Sequence, residues 1–373
     1  MRTDSGLAIG ITEDNVNLIS PAPVPAAFSK VRDDVAAMRP ALFRMNVDWK
    51  YLQPDPSRPA ILDAGVSGCM RTIGPCAPFQ GITAQLKAIA ARQKEGAGWN
   101  VLVNIYGVPD WAATKGGGCE RPSIEPFSRA INADGLAAYE DLIVGIARLA
   151  DRTGAELRFW APWNEPNQIF FISPQRARCD VTSPLLSPAV YTRIFERAKH
   201  ALEKAGGTRD IVLGDLAGSP KKGKRAGTAA EFLSALPDDV ICAADVLALH
   251  SYPGNGFDVI PSATAVTDAR DCGKRLPVWI TETGAGDPRA SKHRDDSPAA
   301  LKEQCRRYDE QLRVWSRNPR VKVAVQYTVR EDPAFRVGLV NSTLDREYPS
   351  FDLIRAWSRA RPGTPPQLPA SCR

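Results

Sequence analysis

Two glutamates stand where apolar runs stop. Glu165 closes Phe159-Trp160-Ala161-Pro162-Trp163-Asn164-Glu165-Pro166-Asn167, and Glu282 lies in Val278-Trp279-Ile280-Thr281-Glu282-Thr283-Gly284. A lone glutamate after a strand is most often a helix cap or a surface group. Two acids ending two buried strands invite a different reading, because cleavage of a glycosidic bond needs paired carboxyls, one to protonate the leaving oxygen and one that stays ionised. If such a pair sits about 5 Å apart, the ionised member attacks the sugar directly and stereochemistry is retained. A gap of roughly 6.5 to 9.5 Å would leave room for water and give inversion.

For the two acids to meet, their strands must end on one face of the fold. Short Val, Ile and Leu runs begin near Leu7, Leu42, Val101, Leu157, Ile211, Asp245, Val278 and Lys322. Between them, 3.6-residue apolar spacing predicts helices near 28–38, 81–96, 132–152, 188–206, 228–236, 262–273 and 297–318, with a last one near 350–361. Eight βα units in series predict an α/β fold, a (β/α)8 TIM barrel over residues 1–361, followed by a Pro-rich tail at 362–373. The extra length falls after strands 2, 3 and 4, so these loops are expected to thicken the face that carries active sites. An open doubly wound sheet is the competing architecture. It loses its support because the first turn reads Thr12-Glu13-Asp14-Asn15, without the glycines of a phosphate-binding turn.

Composition agrees with a single globular domain: of 373 residues, 43% are hydrophobic and 24% charged. No stretch approaches the ~18 uninterrupted apolar residues of a membrane helix. The net charge of +6 is spread along the chain, without the basic blocks of nucleic-acid tails. Eight cysteines, at 69, 76, 119, 179, 242, 272, 305 and 372, include no C-x-x-C pair, and the three histidines (200, 250, 293) include no i, i+4 pair. Neither a metal site nor a cofactor is therefore expected. Disulfides in an oxidising compartment are the leading account of the cysteines, with buried thiols in a cytosolic enzyme as the alternative. Eight cysteines allow on the order of a hundred connectivities. Order along the chain favours Cys69–Cys76, Cys119–Cys179, Cys242–Cys272 and Cys305–Cys372, the last tying the tail to helix seven. A secreted protein is expected, and since the first residues carry no apolar h-region, that reading implies a leader outside these 373 residues.

Trp163-Asn164-Glu165-Pro166 after strand four, with Thr281-Glu282-Thr283-Gly284 after strand seven, resembles clan A of the glycoside hydrolases, retaining enzymes built on (β/α)8 barrels. The stretch Ala161 to Asn167 is most similar to family 39, the β-xylosidase and iduronidase type with its polysaccharide-cleaving relatives, and next to family 5, the cellulase type. The resemblance covers nearly the whole chain as architecture and about two dozen residues as motif. It implies that Glu165 is the acid/base, Glu282 the nucleophile and Asn164 a ligand of the sugar 2-hydroxyl. It also matches His250-Ser251-Tyr252 to a His-x-Tyr after strand six, where a phenol can bond the nucleophile and an imidazole can line the sugar site. Arg44 on strand two matches a position whose guanidinium holds the nucleophile, and such a charge is expected to lower the Glu282 pKa. Strand eight departs from the clan: where many members carry a Trp under the sugar, this chain reads Gln326-Tyr327-Thr328, and Tyr327 is expected to supply the stacking face. Trp49, Trp111 and Trp163 fall at strand ends or in loops, where they either stack on sugar or pack in the core; Trp49 is taken as substrate-binding.

The run Gly218-Ser219-Pro220-Lys221-Lys222-Gly223-Lys224-Arg225 nearly spells a P-loop, but the final Ser/Thr is missing and Pro220 removes a backbone N–H. A solvated rim loop is its ordinary reading, and contact with an acidic or long polysaccharide is the alternative. The function expected is a retaining glycosidase acting on a β-linked polysaccharide or oligosaccharide, as a monomer, with neither nucleic acid nor membrane as partner. A barrel that binds carbohydrate without catalysis is the first competitor. A lyase or aldolase barrel is the second, and lacks an evident metal or Schiff-base lysine at a strand end.

Overall fold

The computed structural model describes residues 6–63, 81–96, 98–253, 257–286, 294–332, 335–361 and 363–373. Eight parallel strands close into a barrel in sequence order: β1 (Ala8–Thr12), β2 (Leu42–Asp48), β3 (Asn100–Tyr106), β4 (Phe159–Ala161), β5 (Asp210–Leu216), β6 (Val246–His250), β7 (Val278–Thr283) and β8 (Val321–Gln326). β1 completes the ring by pairing with both β2 and β8. The strands begin within two residues of the positions that the apolar runs predict. The helices are α1 (Ala26–Met38), α2 (Trp49–Leu52), α3 (Gly81–Lys94), α4 (Ala133–Thr153), α5 (Ser187–Ala205), α6 (Ala229–Ser234), α7 (Asp238–Cys242), α8 (Ile260–Asp268), α9 (Pro298–Arg317) and α10 (Pro349–Ser358). The one-turn helix α2 and the short α7 are additions to the sequence-based expectation. No helix among the described residues is long and apolar enough to cross a membrane.

Alternation along each strand produces two cores. Side chains pointing outward from the strands, such as Ile9, Ile11, Val101 and Val103, pack under the helices in the larger cluster. Those pointing inward, Leu42, Leu102, Phe159, Val212, Val246, Trp279, Val323 and Val325 among them, fill the barrel itself. Phe159 and Trp279 meet edge to face there, with ring centroids 4.6 Å apart. This plug is the floor on which the polar strand ends stand, and emptying it with Phe159→Ala should cost about 3–5 kcal/mol.

Local chemistry sets the helix ends. Asn132 caps α4 by accepting from Gly135 N–H, and Ser297 caps α9 by accepting from Ala300 N–H. Gly154 ends α4 with a φ of 78°, a left-handed conformation that favours glycine. Three disulfides pair Cys119–Cys179, Cys242–Cys272 and Cys305–Cys372, as the order along the chain suggests. The first joins the loop after β3 to the loop after β4, and the last ties the C-terminus to α9. Cys69 and Cys76 lie outside the described residues.

Candidate active site

The inward side chains change from apolar to polar as the strands climb. On β2, Leu42 belongs to the barrel plug, while Arg44 and Asn46, at the same face two and four residues on, line the cleft above it. On β3, Leu102 is followed in the same way by Asn104 and Tyr106. On β6 and β7 a register shift brings His250 opposite Glu282. The cleft formed at these strand ends has a volume of about 300 Å³ and is lined by Arg44, Asn46, Asn104, Tyr106, Asn164, Glu165, Phe171, Glu282, Tyr327 and Phe335.

Glu282 is 8% exposed and held from three directions. The Tyr252 hydroxyl donates to its Oε1 at 2.5 Å, Arg44 Nη1 donates to Oε2 at 3.3 Å, and His250 Nδ1 lies 3.5 Å from Oε2. Glu165 has a more open side chain, 21% exposed, and one recorded partner for its carboxylate, His250 Nδ1 at 2.8 Å. One oxygen of each glutamate and one nitrogen of His250 all lie within 4.8 Å of one another. Glu165 takes a φ of 36°, strained for a residue with a Cβ, and its N–H donates to the carbonyl of Asp215.

Beneath this pair lies a charge network that fixes both acids. Asp215, fully buried, accepts from Arg44 Nη2 at 2.6 Å and from the Thr281 hydroxyl, and it faces His250 Nε2 at 3.1 Å. Its own φ of 58° marks it as a second strained residue of the site. Burial favours the neutral acid, but Arg44, His250 and the hydroxyl of Thr281 outweigh it and hold Asp215 well below the usual carboxylate range. For His250, burial acts downward while Glu282, Asp215 and Glu165 act upward and win, raising the imidazole to about 10. His250 is thus an imidazolium at neutral pH, with Nδ1 on Glu165 and Nε2 facing Asp215 at 3.1 Å. For Glu282, burial is the largest influence and raises the carboxyl, against the pull of His250, Arg44 and Tyr252. The expectation that the guanidinium sets this pKa low is corrected here, since removing the carboxylate from water outweighs the charge beside it. Asn164 Oδ1 accepts from Arg44 Nη2 at 2.6 Å, which leaves its amide N–H groups for a ligand.

Most of the residues anticipated from sequence meet in this one place. Glu165, Glu282, Arg44, Asn164 and Tyr327 line the cleft. His250 and Tyr252 are 2% and 6% exposed and sit behind the acids, so they bind the carboxylates rather than line the sugar site. Trp49 does not reach the cleft. As the first residue of α2 it turns under the rim, fully buried between Trp111 and Tyr139, with its indole N–H on Gln53. Trp163 is likewise buried and donates to the carbonyl of Phe171. Tyr327 stands against Phe335 with centroids 5.7 Å apart, and across the cleft Tyr106 stands against Phe171 at 6.1 Å.

Six further residues escaped the sequence reading: Asp215, Asn46, Asn104, Tyr106, Phe171 and Phe335. Asp215 had a signal, an acid ending the apolar run Ile211-Val212-Leu213-Gly214. Asn104 lies against Arg44 Nη2 at 2.9 Å and Asp215 Oδ2 at 3.0 Å, contacts best met with its oxygen on the arginine and its nitrogen on the aspartate. Asn46 donates to Asp14 at 3.1 Å, and burial together with Glu13 raises Asp14 to about 7. Among the described residues, Glu165, His250 and Glu282 form the one cluster close enough to hold a metal ion.

Comparison with known proteins follows the same lines. Residues 211–329 match the family model for the glycosyl hydrolase catalytic core. That segment runs from β5 to β8 and carries Asp215, His250, Tyr252, Glu282 and Tyr327. No curated protein matches the chain in sequence. Among solved structures, SrfJ from Salmonella typhimurium is similar with a TM-score of 0.60 at 10% identity, over 96% of this chain and 76% of that one. A family 39 glycoside hydrolase from the gut symbiont Bacteroides cellulosilyticus gives 0.54 at 15% identity, over 96% of this chain and 64% of that one. A glucosidase from Croceicoccus marinus gives 0.55 at 16% identity, over 95% and 67%. The chain thus spans about two thirds of the length of the latter two, and at these identities the likeness is one of fold. The catalytic-core match covers less than half of the chain, and the fold it shares with a family 39 glycoside hydrolase sets it beside the glycosidases in architecture.

Proposed function

We propose that this protein is a retaining glycoside hydrolase that cleaves β-linked O-glycosidic bonds of an oligosaccharide or polysaccharide, with Glu282 as nucleophile and Glu165 as acid/base. The observation that carries the reading is the closeness of the two acids, with oxygens within 4.8 Å of each other, at the bottom of one cleft. Such a spacing suits direct attack and leaves no room for a water between the carboxylates, as inversion would require.

The two-step chemistry follows from the surroundings of each group. Glu282 attacks the anomeric carbon while Glu165 gives its proton to the glycosidic oxygen, and the leaving sugar departs. The bond from Glu282 to the sugar removes one negative charge from the site. The carboxylate that Glu165 has become is met by His250 at 2.8 Å, whose positive charge stabilises it. Glu165 then takes a proton from water, the resulting hydroxide equivalent attacks the anomeric carbon from the face the leaving group vacated, and Glu282 is released. Two inversions at one carbon give net retention. Tyr252 and Arg44 hold the nucleophile against rotation, Asn164 has N–H groups to offer a sugar hydroxyl, and Tyr327 presents a ring to the sugar face.

The β preference draws support from neighbours of similar fold, which include a β-glucosidase and an endoxylanase. Three disulfides support an extracellular site of action. Incubating wild type, Glu165→Gln and Glu282→Gln with a panel of polysaccharides and activated aryl glycosides, and reading products by mass spectrometry, tests the assignment. Defined sugars from wild type alone, with residual Glu165→Gln action confined to good leaving groups, would support it. Equal binding of one polymer by all three proteins, without turnover, would replace it with a non-catalytic carbohydrate-binding barrel.

A further inference from the structure

Beside Glu165, two loops are sewn together. Asn167, two residues after Glu165, donates to the carbonyls of Ala217 and Gly227 and accepts from Ala217 N–H. Gln168 donates to Ser219 Oγ at 2.6 Å and bridges to Ala226. A Cβ at Gly218 would collide with the carbonyl oxygen of His250, so the loop that starts there lies directly on the catalytic strand β6. The hairpin that follows, Lys221 to Ala226, is closed by a bridge between Gly223 and Ala226. A third segment joins through Cys119–Cys179, and Arg225 Nη2 donates to the carbonyl of Glu120 at 3.4 Å.

These segments carry an uneven charge. Residues 115–121, 176–182 and 219–225 hold eight Lys or Arg against two acids. Glu120 accepts from Arg129 and Ser173; Asp180 accepts from Thr182 N–H and lies near enough to Arg178 and Lys224 for their charges to help lower its carboxyl, so it offsets part of this charge. Glu231, from α6, takes Arg176 at 2.7 Å and Lys222 at 3.4 Å. Arg121, Arg178, Lys221 and Lys224 are exposed, and none has a carboxylate within ion-pair distance among the described residues. Arg121 sits 5.4 Å over the ring of Phe170, which is 53% exposed and adjoins the cleft residue Phe171. The opposite end of the site is acidic, with Glu13, Asp14 and Asp332 clustered beyond Asn46.

We infer that the leaving-group side of the cleft recognises a glycan bearing carboxylate or sulfate groups, through Arg121 beside the ring of Phe170 and through Arg178, Lys221 and Lys224 on the loops joined to it. The inference rests on the proposed function for which side is the leaving-group side, since the sugar expelled must lie against Glu165. Guanidinium groups suit planar carboxylates and sulfates by paired N–H donation, and lysines add charge at less defined positions. An exposed aromatic among them suits the C–H face of a sugar ring, which favours an acidic glycan over other polyanions. Exposed cations of this kind act over a Debye length of about 8 Å at physiological salt, so the recognition is salt-sensitive.

The test uses the full chain and an Arg178→Gln/Lys221→Gln/Lys224→Gln variant. A polyuronate-bearing β-glycan and its carboxyl-reduced counterpart serve as matched polymers, and a small neutral aryl glycoside reports the chemistry alone. The expected result is binding of the acidic polymer about ten-fold tighter than of the reduced one at low salt. The variant should lose that advantage with unchanged turnover of the aryl glycoside. Equal binding of both polymers by wild type, or a preference that survives in the variant, would overturn the inference. So would equally tight binding of duplex DNA, which would mark a general polyanion surface. Charge-selective binding without any turnover would uphold the recognition and count against the hydrolase reading instead, so the two failures are distinguishable.

Discussion

Glu165 and Glu282 stand at the ends of two strands of one barrel, yet their surroundings differ in kind. Glu282 is gripped by a phenol, a guanidinium and an imidazolium, whereas Glu165 touches one imidazolium and keeps a fifth of its side chain in the open. A nucleophile must hold one position and one charge until it attacks, so it gains from fixed donors. An acid/base must meet a leaving oxygen and later a water, and must change charge between the two, so a crowded socket would hinder it. His250 is the shared element. It faces both acids and is kept charged by them, so it senses which of the two is ionised at each stage.

Breaking the gripped side should have the largest effect. Glu282→Gln should lower kcat by about 10⁴-fold or more on every substrate, since it removes the proposed nucleophile. Glu165→Gln should lower it by about 10² to 10⁴-fold on natural linkages but far less on aryl glycosides with good leaving groups, a split that steady-state kinetics on two substrates would read. Tyr252→Phe removes one short donor to Glu282 and should cost about 10²-fold in kcat with KM little changed, whereas a role in binding sugar would move KM instead. Asp215→Asn weakens the buried partner of Arg44 and His250 and should destabilise the fold by about 3 kcal/mol, measured by denaturant titration. A further effect on stability concerns pH. His250 rises from 6.5 to about 10 on folding, so its contribution to stability is complete below about pH 6.5 and is lost as pH climbs through about 10. A Tm series across that range should therefore fall at its alkaline end in the wild type, and His250→Gln should flatten this limb. A wild-type curve level through pH 10 would show that the imidazolium is not held as described.

The barrel was legible because its information is periodic. Apolar runs at spaced intervals name strands whatever their partners, and an acid ending such a run is placed on the working face by the fold alone. Trp49 shows where this stops: a Trp after a strand faces the cleft or turns under the rim, and the one-turn helix that decides the matter carries no periodic signal. Asn46 and Asn104 were hidden for a related reason. Single amides on strands carry no signal until other strands give them partners, Asp14 and Asn104 for Asn46, and Arg44 and Asp215 for Asn104. Asp215 itself was readable as an acid at a strand end, but its role depends on contacts from β2, β6 and β7 that no local pattern encodes. The six described cysteines pair in the order they occur because each pair joins neighbouring segments or ties the C-terminus, so the simplest connectivity was also the nearest in space.

The central claim is that Glu282 forms a covalent bond to the sugar. Treating the protein with a panel of 2-deoxy-2-fluoro glycosides bearing good leaving groups, then mapping peptides by mass spectrometry, addresses it directly. The account predicts a mass increase of one fluoroglycosyl group on the peptide containing Glu282, absent from Glu282→Gln. A label on any other residue, or turnover of the corresponding substrate with an inverted product and no label, would contradict it.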